Sequence, residues 1–233
     1  QYTLPESVSE DELLKLINGL NLNKDIDGIL VQLPLPKKIN TEIILNAINP
    51  SKDVDGFHIV NAANIYLNRE GVIPCTPLGC LIILRSIGQS LKGMHAVIIG
   101  RSNIVGKPMA QLLLNEDCTV TTVHSKSKNI EKIVKEADII IAAVGIPNLV
   151  NENWVKKESI IIDVGINRIN LENKTKLVGD VNFNAVQSFA SYITPVPGGV
   201  GPMTIACLLM NTVFQCSRKN KISLPSNLTN LFK

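Results

Sequence analysis

Runs rich in isoleucine and valine recur along this chain at residues 26–32, 95–100, 119–124, 138–144 and 160–164, and amphipathic stretches separate them. A run that is apolar at nearly every position must be buried on both faces. Parallel strands joined by crossover helices meet that demand, so the pattern predicts an α/β protein. With 233 residues, 45% of them apolar and 18% charged, the chain can bury one large core or two smaller ones.

The pattern divides the chain. Ser9 and Glu12 form a capping box, and Leu13, Leu16, Ile17 and Leu20 continue as one helical face before the strand expected at 26–32. Leu33-Pro34-Leu35-Pro36 halts that strand, and a helix over 41–47 and a turn-rich stretch over 49–57 follow. A helix over 77–87 is expected to bridge two lobes. The resulting division is an α/β substrate lobe at 1–76, a Rossmann-like parallel-sheet lobe at 77–201, a C-terminal helix at 202–216 returning to the first lobe, and a tail at 217–233. The Lys-, Asn- and Ser-rich composition after Arg218 predicts fraying.

Gly100-Arg101-Ser102-Asn103-Ile104-Val105-Gly106-Lys107-Pro108 joins an expected strand to an expected helix. Its spacing departs from GxGxxG, yet a strand-to-helix turn with glycines aims unpaired N–H groups and a positive dipole at a pyrophosphate. A tight turn without a ligand is the plain alternative. At the end of the next strand stands His124-Ser125-Lys126-Ser127-Lys128, without the carboxylate that an NAD site offers to ribose hydroxyls. Arg101, the serines and the lysines favour NADP, with Arg101 able to make a forked contact to a 2′-phosphate. Each lysine alone also reads as a solvated basic turn.

Tyr192 to Thr204, YITPVPGGVGPMT, packs Pro195, Pro197 and Pro202 together with Gly198, Gly199 and Gly201. The prolines stiffen the loop and the glycines let a flat or charged ligand approach its backbone. In Lys52-Asp53-Val54-Asp55-Gly56-Phe57, alternation sends both aspartates to the same side of an extended chain, although the same residues make an ordinary turn. Gln32 closes an apolar run, where ligands of open α/β sheets collect and where solvated strand ends are also common.

A net charge of +3 is too small for a nucleic-acid track. Five cysteines without CxxC spacing point to reduced thiols and to no metal site, which suits the cytoplasm or a mitochondrial matrix. The apolar runs look too short to span a bilayer, so no membrane role is expected.

The segments VQLPLP (31–36), KDVDGF (52–57), PCTP (74–77), GRSNIVGKP (100–108), DVGIN (163–167), VGDV (178–181) and TPVPGGVGPMT (194–204) occur in an order and spacing that closely resemble the bifunctional methylenetetrahydrofolate dehydrogenase/cyclohydrolase family. The resemblance runs from Gln1 to about Cys216. It implies oxidation of 5,10-methylenetetrahydrofolate by NADP to the methenyl cation, then hydrolysis to 10-formyltetrahydrofolate, in a homodimer. By this resemblance Asp55 and Gln32 are the candidate catalytic residues, Asp55 holding the pterin nitrogens and Gln32 orienting the family's lysine. Val31, Leu33, Pro197, Gly198, Gly199, Val200, Gly201, Pro202 and Met203 would line the folate, and Gly100, Arg101, Ser102, Ser125 and Ile166 the NADP, with Arg101 and Ser125 at the 2′-phosphate.

The family's lysine belongs to a Tyr-x-x-x-Lys helix that precedes the position of Gln1. The three tyrosines here are followed four places on by Glu6, Glu70 and Val196. The chain is therefore expected to be an N-terminally incomplete form of a complete parent enzyme. A noncatalytic protein that keeps both ligand sites is the alternative. A generic NADP dehydrogenase would need a proton relay, for which His58, His95 and His124 offer no convincing arrangement.

Overall fold

The computed structural model describes residues 1–171 and 174–230 and divides into two compact units, residues 1–74 with 208–233, and residues 75–207. The first unit opens with α1 (Glu10–Leu22), whose N-terminus carries the expected capping box: Ser9 and Glu12 each satisfy the other's backbone N–H. Helix α2 (Thr41–Ala47) is capped by Asn40, and α3 (Ile59–Tyr66) by the His58 ring. Leu13, Ile17, Ile29, Ile39, Ile44 and Ile48 form the core between α1 and α2. Burying each such side chain contributes about 1.5–3 kcal/mol.

Helix α1 has no basic residue in its last turn, but Lys52 supplies one from a distance. Its buried ammonium donates to the carbonyls of Leu20, Asn21 and Asn23 at 2.7–2.9 Å, satisfying groups that the helix leaves open. Residues 26–32, expected as a strand, make only the single parallel bridge Ile29–Asp53. The next carbonyl along, that of Val54, accepts the Asn211 side chain.

The second unit begins with α4 (Cys75–Ser86) and continues through β1 (His95–Ile99), α5 (Gly106–Asn115), β2 (Thr119–Val123), α6 (Ile130–Lys135), β3 (Ile139–Ala142) and β4 (Ile160–Asp163). A hairpin of β5 (Asn167–Leu171) and β6 (Lys174–Val178), the short α7 (Phe183–Val186) and β7 (Tyr192–Ile193) follow. The five parallel strands lie in the order β2-β1-β3-β4-β7. Ile98, Ile139, Ile141 and Ile160 are fully buried on one face, while Val97, Ile99, Ile140 and Ile161 join Val134, Val150 and Trp154 on the other. Both faces are covered, as continuous Ile/Val runs require.

Helix α8 (Val200–Asn220) is longer than the expected 202–216, and its residues from 208 onward belong to the first unit. With 21 residues and a mean hydropathy of 1.3 it is long and apolar enough to cross a membrane, which corrects the expectation that every apolar run is too short. Its buried Asn211 amide instead donates to the carbonyls of Val54 and Ile73, and Gln215 to those of Pro50 and Asp53. The tail expected to fray is helical to Asn220 and again in α9 (Ser226–Thr229); residues 231–233 lie outside the described residues.

All five cysteines are free, and four are buried. Burial pushes the Cys80 thiol up to about 12 and those of Cys118 and Cys207 to about 11. A thiol reagent at neutral pH should therefore label the partly exposed Cys216 quickly and the other four only after unfolding. Rapid labelling of three or more cysteines in the native protein would contradict this packing.

Candidate functional site: a dinucleotide turn and a buried carboxylate network

In an open parallel sheet, ligands collect where successive connections leave a strand in opposite directions. Here that point lies between β1 and β3, since β2 flanks β1 on one side and β3 on the other. Gly100 follows β1 with φ +123°, and a Cβ there would strike the Ala143 carbonyl behind β3. Only glycine fits. Ser102 Oγ accepts from the N–H groups of Val105 and Gly106 at 3.1 and 3.3 Å and so ties the turn to the start of α5.

Arg101 and Ser102 are exposed, as is Ser125 in the turn after β2. That turn is closed by Ser127 Oγ, which accepts from the His124 N–H, and by His124 Nδ1, which accepts from the Lys126 N–H. Ile166, beyond β4, is 64% exposed. The glycine turn, the helix N-terminus and the exposed cation suit the phosphates of a dinucleotide, and the exposed isoleucine suits a flat ring.

The loop after β4 is organised by two carboxylates that the reading of the sequence passed over. Asp163 is 3% exposed and accepts from the N–H groups of Gly165 (3.0 Å), Asp180 (2.9 Å) and Val181 (2.9 Å). Asp180 is fully buried; it accepts from the N–H groups of Val144 (2.7 Å) and Gly145 (2.9 Å) and from the Asn167 amide (2.8 Å). The signal was present in DVGIN and VGDV, where each aspartate lies within two residues of a glycine.

In the proline-glycine loop, Gly198 alone of the three glycines takes a positive φ, +103°. Gly201 lies in α8, and Pro197, Gly198 and Pro202 are exposed. The Leu33–Pro34 and Val196–Pro197 peptide bonds are cis. Thr194 Oγ1 accepts from the Asp163 N–H, and the hydroxyls of Thr76 and Thr204 lie 3.1 Å apart.

In the first unit KDVDGF folds as the turn that its aspartates and glycine also allow. Asp53 is 2% exposed and accepts from the N–H groups of Gly56 and His58 and from the Asn61 amide, which closes the turn. Asp55 is half-buried on the same turn. A turn replaces the extended geometry on which alternation rests. Val31 packs on the α1–α2 core, while Gln32 is exposed with its amide donating to the Leu33 carbonyl at 3.0 Å.

Strand order, glycine turn and the helix that follows it define a dinucleotide-binding α/β domain, carried in one chain with a smaller helical unit. Residues 74–220 match the tetrahydrofolate dehydrogenase/cyclohydrolase NAD(P)-binding domain, and residues 1–55 match the catalytic domain of the same enzymes. The chain is 55% identical over 229 residues to Bifunctional protein FolD 1/3 of Ruegeria pomeroyi, covering 98% of this chain and 77% of that protein. It is similar to the crystal structure of the bifunctional FolD methylenetetrahydrofolate dehydrogenase/cyclohydrolase of Campylobacter jejuni, with a TM-score of 0.90 and 51% identity over 94% of this chain and 77% of that one. The Trypanosoma brucei FolD, solved with NADP cofactor and inhibitor, gives the same TM-score at 40% identity over 94% of this chain and 76% of that one. The chain belongs to the tetrahydrofolate dehydrogenase/cyclohydrolase family.

Burial pushes the Asp163 carboxyl up to about 6, against three backbone donors that favour its ionised form. A folded value above the ordinary 3.8 means that protonated Asp163 favours the fold; this contribution is full below that value and lost as pH rises through about 6. Urea unfolding from about pH 4 to about pH 7 should show the wild type losing stability relative to Asp163→Asn as pH rises. A flat or opposite difference would contradict the burial.

Proposed function

We propose that this chain carries the folate and NADP sites of a methylenetetrahydrofolate dehydrogenase and methenyltetrahydrofolate cyclohydrolase. The observation that carries this reading is family membership across 98% of the chain at 55% identity. Within it, the family resemblance supports Asp55 as the carboxylate of the folate site, while Asp53 accepts from the N–H groups of Gly56 and His58 and from the Asn61 amide.

In the first step the carbon between N5 and N10 of 5,10-methylenetetrahydrofolate loses a hydride and becomes the methenyl cation. Bound NADP supplies the acceptor for that hydride. In the second step water adds to the cationic carbon, a C–N bond opens, a proton is released, and 10-formyltetrahydrofolate results. Asp55 would accept two parallel hydrogen bonds from the pterin amino group and ring nitrogen. Gln32 would orient the family's lysine, and Val31, Leu33 and Pro197 to Met203 would contact the folate.

Gly100 and Ser102 would receive the pyrophosphate, Ile166 the nicotinamide side, and Arg101 with Ser125 the 2′-phosphate. Arg101 is exposed beside the glycine turn and can offer a forked contact to a phosphate, which supports NADP over NAD. The family resemblance supports a homodimer, and five free cysteines suit a reducing compartment, the cytoplasm in this reading.

Calorimetric titration separates the two sites. Asp55→Ala should weaken tetrahydrofolate binding about tenfold or more and leave NADP affinity within about twofold. Equal loss of both ligands would assign Asp55 to folding. Arg101→Ala should weaken NADP binding by about 1.5–3 kcal/mol and barely affect NAD. An unchanged preference would move phosphate recognition to Lys126 and Lys128.

A further inference from the structure

The motifs DVGIN and VGDV carry residues whose geometry exceeds what a strand end requires. Asp163 and Asp180 interlock: a Cβ at Gly179 would collide with the Asp163 carboxylate, and a Cβ at Gly165 with the Asp180 carboxylate. Each carboxylate therefore presses against the backbone of the other aspartate's loop. Through Asp163 the loop beyond β4 is tied to Asp180 and Val181, and through Asp180 it is tied to Val144 and Gly145 beyond β3. Asn167, at the start of β5, closes the arrangement on the second Asp180 oxygen.

These loops stand at the carboxyl ends of β3 and β4, next to the glycine turn that follows β1, and one of them presents the exposed Ile166. None of the four backbone N–H groups at Val144, Gly145, Gly165 and Asp180 bonds along the sheet in these contacts; each is taken by a carboxylate. Loops without ladder bonds hold one shape only where side chains supply the missing acceptors.

We propose that Asp163 and Asp180 are positioning residues for the dinucleotide, fixing the Val144–Gly145 and Gly165–Ile166 loops in the arrangement that receives its nicotinamide side. This deepens the NADP reading above and rests on it. The two carboxylates do not touch the cofactor; they act through the backbone of the loops that do. Because Asp180 binds its two loops through different oxygens, substitutions grade the effect. In Asp180→Asn the remaining carbonyl can still accept from Val144 and Gly145, and Asn167 can turn its own oxygen toward the new amide. In Asp180→Ala the Val144–Gly145 loop and the Asn167 side chain lose their acceptor, while the Gly165 N–H keeps that of Asp163.

The test is calorimetric titration with NADP and, separately, with tetrahydrofolate, on the wild type, Asp180→Asn, Asp180→Ala and Asn167→Ala, with melting temperatures alongside. Asp180→Ala should bind NADP about tenfold or more weakly, with Asp180→Asn recovering most of that loss, and tetrahydrofolate affinity should stay within about twofold throughout. Asn167→Ala should weaken NADP binding by a smaller factor, about two- to fivefold. A folded Asp180→Ala with NADP affinity within twofold of the wild type overturns the proposal, whatever its melting temperature. Should that variant fail to fold, wild-type NADP affinity in Asn167→Ala overturns it instead. A wild type that binds no NADP removes the cofactor reading itself, an outcome distinct from unchanged affinity in the variants.

Discussion

Buried carboxylates that accept several backbone N–H groups hold the turns on which both candidate sites depend. Taking a carboxylate out of water is costly, and two or three charge-assisted hydrogen bonds from fixed amides offset that cost only when the loop keeps one shape. Asp53 imposes this on KDVDGF, and Asp163 with Asp180 impose it on the loops beyond β3 and β4. Irregular backbone thereby gains the definition that ladders give to strands.

The same logic organises the first unit more widely. Lys52 closes the end of α1, Asp53 closes the following turn, and Asn211 and Gln215 from α8 hold the carbonyls of Pro50, Asp53, Val54 and Ile73. Residues 50–56 are thus pinned from several directions, with Asp55 half-buried among them. The folate role proposed for Asp55 would draw on a backbone of that rigidity.

Much of this was legible in the residues. Ile/Val runs located β1, β3 and β4 to within about two residues, because burial on both faces leaves a continuous apolar signature, and the edge strand β2 followed from its Val- and Thr-rich alternation. The capping box at Ser9 and the helix at 41–47 followed from local chemistry. Helix α3 was missed because Ile59, Val60 and Tyr66 are exposed while Asn61 is buried, the reverse of the usual apolar-inside pattern. The β5–β6 hairpin was missed because its strands are polar and charged, like a loop. Which of two aspartates two residues apart serves the turn could not be read from spacing: it depends on Gly56, His58 and Asn61 folding back onto Asp53. The roles of Asp163 and Asp180 likewise depend on contacts across 17 and 35 or more positions.

In the proposed reaction the folate carbon is the hydride donor and water the second substrate, and one measurement addresses both. A protein containing these residues is mixed with 5,10-methylenetetrahydrofolate and NADP, and absorbance follows NADPH and the methenyl product while chromatography follows 10-formyltetrahydrofolate. NADPH should appear in a one-to-one ratio with the sum of the methenyl and 10-formyl products, and much faster than with NAD. Binding of both ligands with no NADPH formed, or NADPH without a methenyl or formyl product, would contradict it.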